Sequence, residues 1–406
     1  MSVPELGPGI RGVLRVPEVR AAMLGTFVVM LGFGIVSPVL PSYAKSFGVG
    51  EATVGLLISG FSFARLVSGP FVGRFIDRHG ERAMVALGTV IVGASSIAAG
   101  LAPTFGSLLV LRSLGGIGSA LFFAALLSYL LRTIPPEHSG RVMSVYYGAF
   151  NVGFIAGGPM GGVLADWLGL ASPLHAYGVA CFVSAVLFLR TIRNPVRAVE
   201  ESRAGGLRRL PWSRPFAAVL AANGAYLWMI GAVFSTLVPL FGRDEVGLSL
   251  RGIGVAVAVV TAVELVVLYP AGKATDRRGR RAVLIPSLAA LAAISVVTGF
   301  ASSPTTFLVA MGAYGAASGF AGVPPAPMLS DVTPDELKGS AVAMFRFVGD
   351  VGLVLGPLLA GWTAEHLGYR ASFAISAVPL LTALALVASV AETKPLLPRS
   401  GEAAGL

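Results

Sequence analysis

Five ionisable side chains stand inside otherwise apolar stretches of the chain: Arg65, Arg112, Glu264, Arg346 and Asp350. A charge in such a setting needs a partner or an aqueous cavity, which makes each one a candidate for moving a proton or an ion. Asp350 and Glu264 are the candidate proton carriers, because a buried acid holds its proton and an approaching guanidinium favours its release. Arg346 and Asp350 are four apart, a spacing that also permits a local ion pair on one helix face. Other chemistry is poorly provided for. The histidines His79, His138, His175 and His366 share no ligand spacing, and the single cysteine, Cys181, lies in an apolar run, so neither a metal site nor a disulfide framework is expected. Catalytic spacings and a Walker loop are lacking, which argues against an enzyme and against any cofactor beyond the proton as coupling ion.

The elements that must hold these charges are membrane helices. Of 406 residues, 55% are hydrophobic and only 12% charged, against roughly 25% charged in ordinary soluble domains. Cutting the chain at its polar clusters leaves six apolar runs between residues 21 and 189 and six between 216 and 391. Each reaches the roughly 20 residues that span hydrocarbon as a helix, and none alternates as a membrane strand does. The basic excess, 30 Lys and Arg against 20 Asp and Glu, is not a nucleic-acid footprint. With the amino terminus inside, Arg11, Arg15, Arg20 and the arginines from Arg190 to Arg214 fall on one side, whereas the other side holds Lys45, Arg243, Arg251 and Arg370. That bias places both termini in the cytoplasm. The first run is too long for a signal-peptide core and is expected to stay in the mature chain.

The chain is also written twice. Gly73-Arg-Phe-Ile-Asp77-Arg78-His-Gly80-Glu-Arg82 returns 199 positions later as Gly272-Lys-Ala-Thr-Asp276-Arg277-Arg-Gly279-Arg-Arg281. Val152-Gly153 falls on Val351-Gly352 at the same offset, and Leu168-Gly169 on Leu367-Gly368. Six helices per half is an even number, so the halves form a parallel repeat about an axis along the membrane normal. The expected organisation is an amino-terminal six-helix bundle over 1–189, a cytoplasmic linker over 190–215 and a carboxyl-terminal bundle over 216–406.

Two six-helix halves, a basic central loop and a repeated G-x-x-x-D-R-x-G-x-R turn resemble the major facilitator superfamily over nearly the whole chain. The resemblance implies an all-helical transporter that rocks its halves about a central cavity. It implies that Gly73, Asp77, Arg78, Gly80 and Arg82, with Gly272, Asp276, Arg277, Gly279 and Arg281, latch the halves together on the cytoplasmic face when the cavity opens outward. Glu81 stands where a basic residue is usual, a departure expected to weaken the amino-terminal latch. Arg112 opens R-x-x-x-G-x-G over Arg112–Gly118, similar to a signature linked to proton coupling; its counterpart in the second half is Met311, so the charge is not part of the symmetric frame. Gly153, Gly157, Gly158, Pro159, Gly161 and Gly162 resemble the signature of the antiporter branches, with the proline displaced by one. Proline and glycine together allow a bend and a smooth groove for a neighbouring helix. Gly32-Phe-Gly34 through Pro41 resembles the twelve-helix drug:proton antiporters.

The fold also implies that the second helix runs beside the eleventh, which would let Arg65 reach Asp350. Asn151, Phe122, Phe123, Tyr146, Tyr147, Phe150, Asn223, Tyr226 and Phe234 fall on helices that border its cavity. Such a lining suits small amphipathic compounds, cationic ones included. The expectation is a proton-coupled exporter of drugs or similar compounds in the bacterial inner membrane, monomeric, with lipid and a small-molecule substrate as its partners and no nucleic acid. The alternative is a proton-coupled transporter of a sugar or amino acid, for which the polar residues are few.

Overall fold

The computed structural model describes residues 17–133, 136–192, 210, 212–334 and 337–393. Most of the expected linker, with Arg11 and Arg15, lies outside them. Every regular element among the described residues is helical, and twelve helices are long and apolar enough to cross a membrane. They are α1 (Pro17–Val36), α2 (Glu51–His79), α3 (Glu81–Gly100), α4 (Phe105–Leu130), α5 (Val145–Leu168) and α6 (Ser172–Thr191), then α7 (Arg214–Asp244), α8 (Leu250–Arg278), α9 (Arg280–Thr298), α10 (Pro304–Asp331), α11 (Lys338–Leu367) and α12 (Tyr369–Ala388). A multi-pass membrane protein is the only setting in which so much apolar helix surface is at home.

The repeated turns reverse the chain within one residue. Gly80, between α2 and α3, has φ 84°, and Gly279, between α8 and α9, has φ 103°. Side chains avoid that region of backbone space, which explains a glycine at both copies.

Each half has its own core. Phe122, Leu126, Tyr129 and Phe188 are buried in the first, and Phe216, Phe307, Tyr314 and Phe373 in the second. The halves meet along α2 with α11 and along α5 with α8. Glycine makes both seams. On α5, Gly153, Gly157 and Gly161 lie against the backbone of α1, whereas Gly158 and Gly162 lie against Gly254 and Leu250 of α8 in the other half. Around the pseudo-symmetry axis, Gly352 and Gly356 of α11 lie against α7, and Pro357 and Gly361 against Glu51 and Gly55 of α2. A smooth α5 therefore serves two contacts, one within its bundle and one between bundles.

One end of this double seam is closed by charge. Lys45 Nζ lies 2.7 Å from Asp244 Oδ2 and 2.7 Å from Glu51 Oε1, and the Tyr369 hydroxyl donates to the same Asp244 oxygen. Lys45 and Asp244 are 199 apart, so equivalent positions of opposite sign meet across the axis. Asp166, ending α5, pairs with Arg251 at 2.9 Å. Its counterpart Glu365, ending α11, accepts from the Ala52 amide at 2.8 Å. These carboxylates face the first turns of α8 and α2, where a helix favours negative charge.

Burial alone would pull the Lys45 ammonium down, but Asp244 and Glu51 outweigh it and hold its proton above the ordinary lysine value. A proton affinity raised by folding contributes fully at neutral pH and is lost only as pH climbs beyond the free lysine value of 10.5. Lys45→Met is therefore expected to loosen the closed end at pH 7, increasing thiol labelling of a Ser42→Cys reporter severalfold. Labelling unchanged by the substitution would show that the glycine seams close this end unaided.

Candidate transport site

A cavity of about 200 Å³ lies between the halves beneath the closed end. Phe33 and Val36 of α1, Ser37 just past its end, Ile58, Phe61, Ser62 and Arg65 of α2, Arg112 of α4 and Phe154 of α5 line it from the first half; Ile230, Gly231, Phe234 and Ser235 of α7 and Leu353 of α11 line it from the second. The wall from α7 has a local cause. Between Met229 and Val238 the helix widens into a π segment, Ile230–Leu237, in which the Thr236 hydroxyl donates to the Gly231 carbonyl at 2.9 Å. Widened turns of this kind redirect side chains and recur at functional sites. Here the widened turns bring Gly231, Phe234 and Ser235 to the cavity. Phe154 and Phe234 meet across the halves with ring centroids 6.1 Å apart.

Arg65 Nη2 reaches Asp350 Oδ1 at 2.5 Å, joining α2 to α11 and the first half to the second. Arg346, one turn away on α11, is exposed and forms no ion pair among the described residues, so the local pairing its spacing permits is not made. Above the bridge, Ser59 Oγ donates to the Val354 carbonyl at 2.6 Å, and the glycine seam continues to the closed end. Below it, toward the repeated turns, Gly73 and Gly272 have open space around them. Arg65 and Asp350 thus lie between the glycine seam and the end that carries the repeated turns.

Glu264 is placed differently although it is the counterpart of Arg65. The Tyr226 hydroxyl donates to Glu264 Oε1 at 3.1 Å and the Ser318 hydroxyl to Oε2 at 3.4 Å, all within the second half. Arg112 is 2% exposed. Its guanidinium stands over the Phe61 ring, 4.8 Å from the centroid, and its Nε and Nη1 have no partner. Met311, its counterpart, is plain core.

Most of the aromatic residues expected at the cavity lie elsewhere. Phe122 is in the core of the first half against Phe188, and Tyr146 is buried in that core too. Phe123 and Phe150 pair between α4 and α5, Tyr147 is half exposed, and the Asn151 amide donates to the Tyr147 carbonyl of its own helix at 2.8 Å. Asn223 ties α7 to the Phe345 carbonyl of α11 at 2.7 Å. Of the expected set only Phe234 lines the cavity. Phe33, Phe61 and Phe154 line it instead, and Phe33 is their hub, 6.3 Å from Phe61 and 5.8 Å from Phe154. The cation seated over Phe61 is the chain's own Arg112.

Bonds within each half hold both repeated turns. Arg82 donates to the Leu189 carbonyl at 2.5 Å, and its counterpart Arg281 to the Ala388 carbonyl at 2.6 Å. Each arginine thereby serves the open carbonyls ending α6 and α12. Glu81 pairs with Arg132 at 3.1 Å, and the equivalent positions pair with signs exchanged, Arg280 with Asp331 at 2.9 Å. Glu81 is thus one side of a charge-swapped pair. Asp77 lies 3.8 Å from Arg132, and Asp276 lies 3.9 Å from Arg280.

The sequence matches the Major Facilitator Superfamily over residues 22–261 and 243–405. The chain belongs to that superfamily. It is 24% identical over 363 residues to an MFS-type transporter of Methanocaldococcus jannaschii, covering 87% of this chain and 92% of that one. It is 24% identical over 267 residues to multidrug resistance protein 2 of Bacillus subtilis, 64% of this chain and 66% of the relative. To the quinolone resistance protein NorA of Staphylococcus aureus it is 25% identical over 57% of this chain and 60% of the relative. Among solved structures, a bacterial homologue of the human lysosomal transporter Spinster, inward-facing and unoccupied, superposes with a TM-score of 0.78 at 17% identity over 91% of this chain and 95% of that one. A D-xylose-proton symporter superposes at 0.76 and 18% identity over 93% and 98%. Members of the superfamily are transporters, which makes the central cavity the place where a small molecule would be held.

Proposed function

We propose that this transporter is a proton-coupled exporter of small amphipathic compounds, drugs among them, working by alternating access. The observation that carries the reading is the Arg65–Asp350 bridge, an acid and a guanidinium joining the halves at the wall of a largely apolar cavity. The bridge needs the carboxylate ionised. A protonated Asp350 cannot form it, so proton binding and this arrangement of the halves are alternatives. The repeated turns and both termini belong to the cytoplasm of a bacterial inner membrane, which makes the conformation described above open inward. In it Asp350 has released its proton and the cavity is ready for a compound; return of a proton from outside follows after export.

The names of the Bacillus and Staphylococcus relatives support drug export. The antiporter-like α5 supports it physically, because its second glycine face is a seam between the halves. Transport of a sugar or amino acid fits the lining less well: its polar side chains are Ser37, Ser62, Ser235 and two arginines.

The test is accumulation in energised inverted membrane vesicles, using lipophilic cations, aromatic carboxylates, sugars and amino acids. Uptake of amphipathic compounds that a protonophore collapses is expected. Uptake of sugars or amino acids alone overturns the reading. Glu264 gives a further prediction: Glu264→Gln keeps an oxygen for the Tyr226 hydroxyl and offers an amide N–H that the Ser318 hydroxyl can accept, so proton-driven transport should fall by less than tenfold. A complete loss would make Glu264, rather than Asp350, the proton carrier.

A further inference from the structure

Arg112 is a buried cation with no counter-ion among the described residues of its own half. Its neighbours Tyr177 and Cys181 of α6 are not acids of the carboxylate kind; among the described residues Arg112 makes no ion pair, and its Nε and Nη1 have no hydrogen-bond partner. Burying a guanidinium without an anion is costly, and the second half carries methionine at the same place. What is special to Arg112 is its position on the cavity wall. Among the described residues, the only other charged side chain lining that cavity, Arg65, already holds Asp350. The wall therefore carries one positive charge that no carboxylate among the described residues matches.

We infer that the cavity is an anion site, in which Arg112 binds the carboxylate of a small aromatic acid whose ring lies among Phe33, Phe61, Phe154 and Phe234. A guanidinium matches a carboxylate in both charge and shape. The rings meet within about 6 Å of one another and supply an apolar slot for the rest of the molecule. At about 200 Å³, the space is below the roughly 300 Å³ at which pockets for drug-sized ligands begin, and it suits an acid of one or two rings. A lipophilic cation would leave Arg112 unmatched and place a second positive charge beside it. This inference rests on the exporter reading only in taking the cavity as the substrate site, and it narrows the amphipathic class to anions.

The test is equilibrium binding to the full-length protein in nanodiscs of phosphatidylcholine alone, which supply no net anionic lipid. Three fluorescent probes share one ring system: 1-naphthoate, 1-naphthylmethanol and 1-naphthylmethylammonium. At pH 7 naphthoate is expected to bind at least tenfold more tightly than the other two. Arg112→Gln, checked for folding by its thermal transition, should reduce naphthoate to the level of the alcohol, and Arg112→Lys should keep part of the preference. The alcohol or the ammonium binding as tightly as naphthoate overturns the inference, as does a preference that survives Arg112→Gln or a failure of all three probes to bind. The three-probe comparison on the unsubstituted protein decides the matter even if the variants do not fold. The two readings fail separately. Selective naphthoate binding without proton-driven transport leaves the anion site and removes the exporter, whereas proton-driven transport of cations alone does the reverse.

Discussion

Asp350→Asn is expected to lower proton-driven transport by on the order of 100-fold, the scale on which a positioned proton-transfer group commonly acts. An amide matches the shape of the carboxylate and can still accept from Arg65, but it cannot ionise and cannot carry the proton. The loss should therefore be specific. Exchange of labelled for unlabelled compound across the membrane, which needs no net proton movement, should persist in Asp350→Asn at a measurable rate. Loss of exchange as well would mean that Asp350 holds the structure together and does not couple it. Arg65→Met removes the other side of the 2.5 Å bridge and leaves a carboxylate without its cation. Both exchange and driven transport should then fall, because an unmatched buried charge costs more than a lost pair.

The second large effect concerns the seams. Gly55 of α2 lies against the Pro357 carbonyl and Gly361 of α11, with no room for a Cβ. Gly55→Val would force these backbones apart at the closed end. Overpacking of this kind costs about 1–3 kcal/mol, or roughly 5- to 150-fold in the balance of two conformations. The closed end should open by that factor. A Ser235→Cys reporter on the cavity wall, in a protein whose one native cysteine is buried, should then react with an impermeant thiol reagent applied from outside. Gly254→Val, facing Gly158 on the other seam, should act in the same direction. If neither substitution alters labelling, backbone contact does not govern closure.

Much of the architecture was legible in the residues. The twelve spans follow from apolar length, and the repeat from an offset that does not slip. Arg65 and Asp350 stood out because a charge in an apolar run must be matched, and the fold that the repeated turn resembles brings their helices together. The closed end also left a mark that went unread: Lys45 and Asp244 are opposite charges at equivalent positions, and equivalent positions near a two-fold axis meet. Glu81 and Arg280 carry the same mark, with Arg132 and Asp331 answering them.

The cavity lining was less legible, for a physical reason. A membrane helix can be apolar on every side, since lipid tails are as apolar as leucine, so composition around the helix does not separate core, lipid and cavity. Phe122 and Phe154 look alike in sequence, yet Phe122 is sealed in a bundle core and Phe154 lines the cavity. The π segment of α7 brings Gly231 and Ser235 to the cavity, a facing that ordinary helical periodicity does not anticipate.

The most direct test of the account is proton flux in proteoliposomes containing a pH-sensitive dye, with an imposed gradient and an amphipathic compound that the unsubstituted protein transports. The unsubstituted protein should move protons when the compound is added, and Asp350→Asn, at equal reconstitution, should move none while still exchanging the compound. Proton movement undiminished in Asp350→Asn would contradict the account.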